Sequence, residues 1–424
     1  MVEDFSAAEF VVRRLGNCQH PSPIERALFV DDSEGVSVHC LRSQIQERAA
    51  ADALRFFEIA GPRERIYFDP PNTTCAIVTC GGLCPGINDV VRAVTMQLGR
   101  AYGVKKILGL RYGYRGLVES YGLEPIELTG EVVNTIHRDG GTFLRSSRGK
   151  QSPSDMVDFL RKRAIDVLFV IGGDGTMAGA GVIYDEIAAQ GLDIGVVGIP
   201  KTIDNDIAII QKTFGFETAV AEGVRAINGG HTEAVEFPDG VTIVRLMGRD
   251  AGFIAATATI ASGDVNFCLV PEVPFALDGT GGLYSQLQER LEECGHALIV
   301  VAEGAGKELR VGSGYDDVGL FLKDRIREEF ARRHVPVTLK YIDPSYMIRS
   351  VPATADDSVF CAQLGHHAVH AAMSGRTSML VGYYNDHFVH IPFRMIRGRR
   401  KSLDPAGKLW SAVLQSTGQP AKMA

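Results

Sequence analysis

The sequence has no surplus of positive charge. Its 44 lysines and arginines are set against 51 aspartates and glutamates, for a net charge of −7. Nonspecific nucleic-acid binding needs a basic surface, so no nucleic-acid partner is expected. An anionic small substrate stays compatible, because a local basic cleft can sit on an acidic chain. There is also no run of about 18 apolar residues, so neither a membrane span nor a membrane partner is expected. The N-terminus MVEDFSAAEF lacks a basic segment followed by an apolar stretch, and the C-terminus GQPAKMA matches no retention or peroxisomal address. A cytoplasmic location is the expectation. The 8 cysteines are scattered. Cys80 and Cys84 are close, but no second cysteine or histidine pair follows at zinc-site spacing, so reduced cysteines are the simpler reading. No Walker loop, Rossmann fingerprint, internal repeat or low-complexity tract is present.

What is present is an ordinary globular balance, 45% hydrophobic and 22% charged, with 47 glycines. That many glycines implies numerous tight turns or close backbone approaches. Residues 1–72 are charged and irregular up to GPRERIYFDPPN and read as an N-terminal extension packed on the core. One helix is expected there, from Leu41 to Ala60, from apolar residues at helical spacing. From Thr74 onward short apolar runs alternate with helical stretches. CAIVTC, KKILGL, DVLFVIGG, IGVVGIP, VTIVRLMG, NFCLVPE and HALIVVAEG read as strands. Helices are expected from GGLCPGIN to about Arg100, over VDFLRKRA, and from about Met177 to Gln190. Continuous apolar strands alternating with helices predict an α/β protein with a parallel sheet covered on both faces. Ligands then bind at the carboxyl ends of the strands.

The notable motifs fall at those ends. Gly81-Gly82-Leu83-Cys84-Pro85-Gly86-Ile87-Asn88 lies between a strand and a helix, where glycines admit close backbone approach and the helix start offers free N–H groups. A strand-to-helix turn needs glycine in any case, so this loop alone does not settle phosphate binding. Gly172-Gly173-Asp174-Gly175-Thr176 places a carboxylate among glycines, suited to Mg²⁺ beside nucleotide phosphates; the bland alternative is a helix-capping aspartate. In Pro200-Lys201-Thr202-Ile203-Asp204-Asn205-Asp206, Asp204 could take a proton from an attacking hydroxyl, and Asp206 could hold metal or position its neighbour. A surface Asx turn would explain Asn-Asp but not Lys-Thr. Met247-Gly248-Arg249-Asp250 offers an arginine for a phosphate or sugar oxygen, against the bland reading of a surface ion pair. Glu303 could accept bonds from sugar hydroxyls. Lys340, Tyr346 and Arg349 bring two cations and a phenol within one short segment, which suits a phosphate monoester.

Together these segments resemble the 6-phosphofructokinases. GGLCPGIND, IGGDGT, PKTIDND, GFETA, MGRDAGFIA, VPE and YIDPSYMIR stand in that family's order, between about Ala60 and Arg397. The N-terminal extension and GPRERIYFDPP are similar to the longer plant-like and trypanosomal-like ATP enzymes. The resemblance implies two similar three-layer αβα lobes with the active site between them. It implies an extension over 1–72, a nucleotide lobe over 73–212 joined by about 350–390, and a sugar-phosphate lobe over 213–349 joined by about 391–424. It implies transfer of the γ-phosphate of ATP to the 1-hydroxyl of fructose 6-phosphate, with Mg²⁺. A homotetramer is implied, with a dimer as the smaller alternative.

Carried over residue by residue, Gly81 resembles the glycine lying against the ATP phosphates. Arg148, followed by Gly149, is similar to the arginine bridging donor and acceptor phosphates. Asp174 resembles the metal ligand, and Gly173, Gly175 and Thr176 cradle the nucleotide. Thr202, Ile203 and Asp204 resemble the segment at the 1-hydroxyl, with Asp204 as base. Met247, Gly248, Arg249 and Glu303 resemble the sugar site, and Lys340, Tyr346 and Arg349 the 6-phosphate pocket. Departures remain. Short bacterial enzymes carry arginine and histidine at Lys340 and Tyr346, and an arginine at Gly240.

The phosphoryl donor turns on two positions. Lys201 resembles the pyrophosphate enzymes, and Gly175 the ATP enzymes, since pyrophosphate enzymes carry aspartate there, in the room of the α-phosphate. A carboxylate about 4 Å from a phosphate charge costs on the order of 4 kcal/mol at an effective dielectric near 20, roughly a thousandfold in binding. Lys201 only adds attraction that either donor could use, so Gly175 favours ATP. The alternatives are a pyrophosphate enzyme, a silent nucleotide-binding regulatory paralogue, and a lipid or NAD kinase sharing only GGDGT.

Overall fold

A computed structural model of the chain describes residues 5–25, 28–51 and 53–423. The described residues form two compact units. One runs to Thr202 and includes Ile207–Gly215 and Ser350–Arg400; the other comprises Ile203–Asp206, Phe216–Arg349 and the chain from Lys401 onward.

The first unit is built on a nine-stranded sheet. Its centre is parallel, in the order Met379–Tyr384, Gly195–Pro200, Val167–Gly172, Thr74–Thr79, Lys106–Leu110. Three of these strands, Thr74–Thr79, Val167–Gly172 and Gly195–Pro200, are buried along their whole length. That burial is why their sequences are unbroken apolar runs. Alternate residues face opposite ways. Ala76, Val78, Leu168, Val170 and Val196 share a core with Met156 and Phe159 of the helix Pro153–Lys162 and Met177 and Ile183 of the helix Asp174–Ala189. On the other face Ile77, Phe169 and Val197 are equally buried, and the helices Ile87–Met96 and Ala355–Met373 pack together.

The sheet is parallel at its centre, as expected, and antiparallel at its edges. Met379–Tyr384 and His387–Pro392 form an antiparallel hairpin. Its two turn residues, Asn385 and Asp386, have φ of 45° and 62°, the left-handed pair a two-residue hairpin requires. Phe56–Ile59 and Gly35–Ser37 extend this edge antiparallel, and Ile126–Glu127 closes the other. The helix expected from Leu41 to Ala60 spans only Arg42–Ala50 and buries none of its residues. Its second half is the strand Phe56–Ile59, with Phe57 fully buried. Pairing with the hairpin outweighs a weak helical period.

The second unit has a four-stranded parallel sheet in the order Phe267–Leu269, His296–Ala302, Gly240–Leu246, Thr338–Ile342. Val241, Ile243, Ile299 and Val301 pack with the helices Leu283–Cys294 and Val318–Arg332. On the other face Gly230, in the helix Phe216–Val235, meets Thr242, Val244 and Leu298; an added β-carbon would stand 3.0 Å from Thr242.

The N-terminal segment is tied to the large sheet by charge. Arg376, 1% exposed, bonds through Nε to Glu58 and through Nη2 to Asp32 at 2.5 Å. Arg63 adds a 2.7 Å contact to Asp32, and His390 lies 3.3 Å from Glu58. Burial alone would raise the Glu58 pKa, but His390 and Arg376 outweigh it and hold the carboxyl far below its ordinary range. Removing one partner strands a buried charge, which costs about 3–5 kcal/mol. Arg376→Met should therefore lower the chemical-denaturation midpoint sharply. Arg376→Met with Glu58→Gln should cost less than the sum of the single changes.

Candidate active site

In the large sheet the chain leaves Thr74–Thr79 towards Lys106–Leu110 and leaves Val167–Gly172 the opposite way, towards Gly195–Pro200. The carboxyl ends of these two neighbours form the crevice where open α/β sheets take ligands. Both glycine loops lie there. Gly81 has φ 88°, donates its N–H to the Ser147 carbonyl at 3.2 Å and accepts at its own carbonyl from Ser146 Oγ at 2.6 Å. That pins the segment carrying Arg148 and Gly149 beside the loop. An added β-carbon on Gly82 would come within 3.4 Å of Arg148 Nη2. Gly172 can only be glycine, since a β-carbon would stand 2.4 Å from Thr176.

Lys201 laces these loops together. Its backbone N–H donates to the Gly172 carbonyl at 2.9 Å, and its Nζ donates to the Gly82 carbonyl at 2.8 Å. The side chain is 5% exposed. Gly173 caps the helix that starts at Asp174, earlier than the expected Met177. Asp174 Oδ1 accepts the Gly175 N–H at 2.7 Å. Its Oδ2 accepts from Arg400 Nε at 2.9 Å and Nη2 at 2.7 Å. A β-carbon on Gly175 would meet nothing within 4 Å. Thr202 is buried, with its carbonyl accepting from Thr213 Oγ1 at 2.8 Å.

In the second unit the neighbouring strands Gly240–Leu246 and His296–Ala302 bring Met247-Gly248-Arg249 against Glu303. The Glu303 N–H donates to the Leu246 carbonyl at 2.9 Å, and Glu303 Oε1 accepts the Arg249 N–H at 2.7 Å. Gly248 has φ 146°, and a β-carbon there would stand 2.4 Å from the Ala251 carbonyl oxygen. Gly304 has as little room, since a β-carbon there would stand 2.0 Å from the Arg249 carbonyl oxygen. Asn205 and Arg249 both sit at positive φ, 51° and 52°. Such left-handed residues store strain and cluster at functional sites.

Asp204 is 3% exposed, with Oδ2 at 3.3 Å from Arg249 Nε. Its pKa is pushed up from 3.8 to about 6. Burial is the largest cause; Asp206 and Glu303 add repulsion, and Arg249 and Arg349 partly offset it. Arg349 therefore lies near Asp204, and its Nε–H is buried without a hydrogen-bond acceptor among the described residues. Ile203 and Met247 are buried beneath this cluster of charges. Tyr346 projects outward, 85% exposed. Lys340 is not brought to the group. It pairs in register with Thr242, bonds Glu233 at 3.4 Å and lies 4.5 Å over the Phe237 ring, at the amino end of the sheet. Gly240, where short bacterial enzymes carry arginine, has no room for a side chain, since a β-carbon would stand 2.1 Å from the Ala234 carbonyl oxygen.

Residues 74–372 match the sequence profile of phosphofructokinase. The chain belongs to the phosphofructokinase family. A protein of Borreliella burgdorferi named ATP-dependent 6-phosphofructokinase is 45% identical, over 98% of both chains. ATP-dependent 6-phosphofructokinase 1 of Arabidopsis thaliana is 46% identical over 87% of this chain and 80% of its own. The ATP-dependent 6-phosphofructokinase of Trypanosoma brucei brucei is 44% identical over 98% of this chain and 89% of its own. The fold matches a pyrophosphate-dependent phosphofructokinase of Marinobacter aquaeolei with a TM-score of 0.69 at 20% identity, over 81% of this chain and 91% of that one. The α/β architecture is thus the phosphofructokinase fold.

Within this phosphofructokinase fold, the sequence reading missed three residues. Arg245 bonds Glu303 at 3.3 Å, Asp343 at 2.9 Å and Asp317 at 3.4 Å, holding the Glu303 carboxylate from behind. Arg400 grips Asp174. Lys401 donates its backbone N–H to the Asp206 carbonyl at 2.8 Å and lies 5.0 Å over Phe253. Burial lowers its pKa to about 8 against the opposing pull of Asp206. None lies in a recognisable motif, and only their charge marks them in sequence.

Asp204 gives a pH prediction with a definite sign. A base must be ionised, so with Asp204 in that proposed role kcat/KM, which follows the ligand-free protein, should rise with pH through about 6, not through the ordinary carboxyl range. Because the folded pKa exceeds the unfolded one, ionisation of Asp204 opposes folding: this loss is absent below about pH 4, grows between pH 4 and 6, and is complete above. Asp204→Asn should lower kcat by about 10²–10⁴-fold. At pH 8 it should match or exceed the wild-type melting temperature. A kcat/KM profile flat from pH 5 to 8 would remove Asp204 from the role of base.

Proposed function

We propose that the protein transfers the γ-phosphate of ATP to the 1-hydroxyl of fructose 6-phosphate, giving fructose 1,6-bisphosphate and ADP, the committed phosphorylation of glycolysis. The observation that carries this reading is the buried Asp204 carboxyl, raised to about 6 beside two arginines. At neutral pH it is ionised, yet basic enough to take a proton from an alcohol in the transition state.

Asp204 accepts the proton of the 1-hydroxyl as that oxygen attacks the γ-phosphorus in line. Thr202 and Ile203 hold the segment that aims it. Arg249 and Glu303 bind sugar oxygens, with the Glu303 carboxylate oriented by the Arg249 N–H and by Arg245. Arg349 supplies a buried N–H with no acceptor among the described residues, suited to a phosphate oxygen. Tyr346 joins it at the 6-phosphate. Lys340, turned towards Glu233, belongs to that pocket only if its side chain swings or serves a second copy of the chain. Gly81, Arg148, Gly149, Gly173, Gly175 and Thr176 receive the nucleotide phosphates. Most of the acceleration comes from positioning and charge stabilisation.

Asp174 is the proposed Mg²⁺ ligand. Magnesium usually takes one or two carboxylates together with waters and substrate phosphates, so a single aspartate at a helix start fits it. When bound, the ion neutralises charge on the donor phosphates. The same reading, resting on the family resemblance, gives an allosteric, cytoplasmic homotetramer. Light scattering tests the assembly, and a stable monomer would contradict it. No helix among the described residues is long and apolar enough to cross a membrane.

The decisive assay supplies fructose 6-phosphate and Mg²⁺ with ATP or pyrophosphate as parallel donors. Fructose 1,6-bisphosphate from ATP alone is the expected result. Turnover with pyrophosphate alone would give the donor to the other branch of the family, and no turnover with either would favour a regulatory paralogue. Gly175→Asp refines the test. The space around Gly175 is open and the first turn of a helix accepts aspartate, so the variant should fold. It should raise KM for ATP by about a thousandfold.

A further inference from the structure

Arg400 lies far along the chain from the phosphate loops, yet its guanidinium grips the carboxylate that the proposed function assigns to the metal. Two nitrogens, Nε at 2.9 Å and Nη2 at 2.7 Å, bond the same oxygen, Asp174 Oδ2. The other oxygen is already committed to the Gly175 N–H. The arginine side chain is 47% exposed and that of Asp174 27%, so the contact borders solvent. The backbone of Arg400 is anchored by a bridge to Ile207.

We infer that Arg400 is a counter-ion that exchanges partners: it neutralises Asp174 when no nucleotide is bound and moves to the nucleotide phosphates when a divalent cation takes its place. This rests on the assignment of Asp174 as metal ligand. A guanidinium and a divalent ion on one carboxylate oxygen repel, so they compete for Oδ2. The released guanidinium is a planar donor fork, the geometry that phosphate oxygens accept best. The anion nearest to a metal on Asp174 is the phosphate chain that the same metal holds. Arg400 thus does two opposed things. It weakens the binding of a bare cation, which keeps the site from filling without nucleotide. It strengthens the binding of the cation–nucleotide complex.

The two effects differ in sign, which a merely structural contact would not produce. The test uses the full chain and its Arg400→Met variant, read by binding and not by turnover. Mn²⁺, visible by electron paramagnetic resonance, is titrated into nucleotide-free protein. MgATP is titrated calorimetrically. The expected result for Arg400→Met is Mn²⁺ binding tightened by about fivefold and MgATP binding weakened by about tenfold. Arg400→Lys, which keeps the charge but not the fork, should fall between the two proteins on both axes. Unchanged binding of both ligands overturns the inference, and so does weakening of both together. If the wild-type chain makes fructose 1,6-bisphosphate from ATP while Arg400→Met binds both ligands as wild type does, the partner exchange alone fails. If the wild-type chain turns over no donor, it is the activity reading that fails.

Discussion

A buried ammonium group holds the glycine-loop end of the large sheet together. Burying an uncompensated charge costs many kcal/mol, so Lys201 can sit at 5% exposure only if its hydrogens find acceptors. The Gly82 carbonyl is one, and reaching it draws the first glycine loop towards the third strand of the crevice. The lysine backbone at the same time holds the Gly172 carbonyl. One residue therefore fixes three strand ends relative to each other. The close approach has steric consequences. Gly172 has no room for a side chain, and Gly81 is bent into a left-handed turn to meet Ser146 and Ser147. Lys201 is thus a brace between the Gly82 and Gly172 carbonyls.

The second unit solves the opposite electrostatic problem. There the carboxylates Asp204, Asp206 and Glu303 crowd around two arginines, Arg249 and Arg349. Burial, with repulsion from Asp206 and Glu303, lifts Asp204 out of the ordinary acid range, and the two arginines offset enough of it to keep the group ionised near neutrality. The arrangement in turn holds strained backbone in place. Asn205 and Arg249 are both left-handed, and neither is glycine. Such conformations persist where surrounding bonds over-determine them; here the Arg249 N–H is committed to Glu303, which Arg245 braces in turn.

The strand ends were legible because a buried parallel strand must be an unbroken apolar run, and a loop that receives phosphate must be rich in glycine. Each of those strands stands where its apolar run lies. The edges were less legible. The Asn385-Asp386 turn that makes the sheet mixed carries its signal in the sequence, but Phe56–Ile59 looked helical until its pairing with the hairpin was known. The charged residues behind the site were illegible for a different reason. Arg400 and Asp174 are 226 residues apart, and Arg245 and Glu303 are 58 apart. Ion pairs of that separation leave no periodicity and no motif, because only the tertiary fold sets their distance. Gly240 could be read as a missing cation, whereas the fold shows that the helix before it excludes any side chain.

The glycines separate into two kinds, and the difference bears on function. Gly172, Gly240, Gly248 and Gly304 are required by the protein itself, since a β-carbon at each would strike a neighbour at 2.0–2.4 Å. Their presence says nothing direct about a ligand. Gly175 meets no such neighbour, and its φ is not in the left-handed region. Glycine there costs the helix about 1 kcal/mol relative to alanine and relieves no strain within the chain. Gly229, inside the helix Phe216–Val235, shares both properties, so a glycine with open space and no left-handed φ does not by itself point to a ligand. On the proposed function, the room over the first turn of Asp174–Ala189 is where the donor phosphates lie, and an aspartate at 175 would repel them.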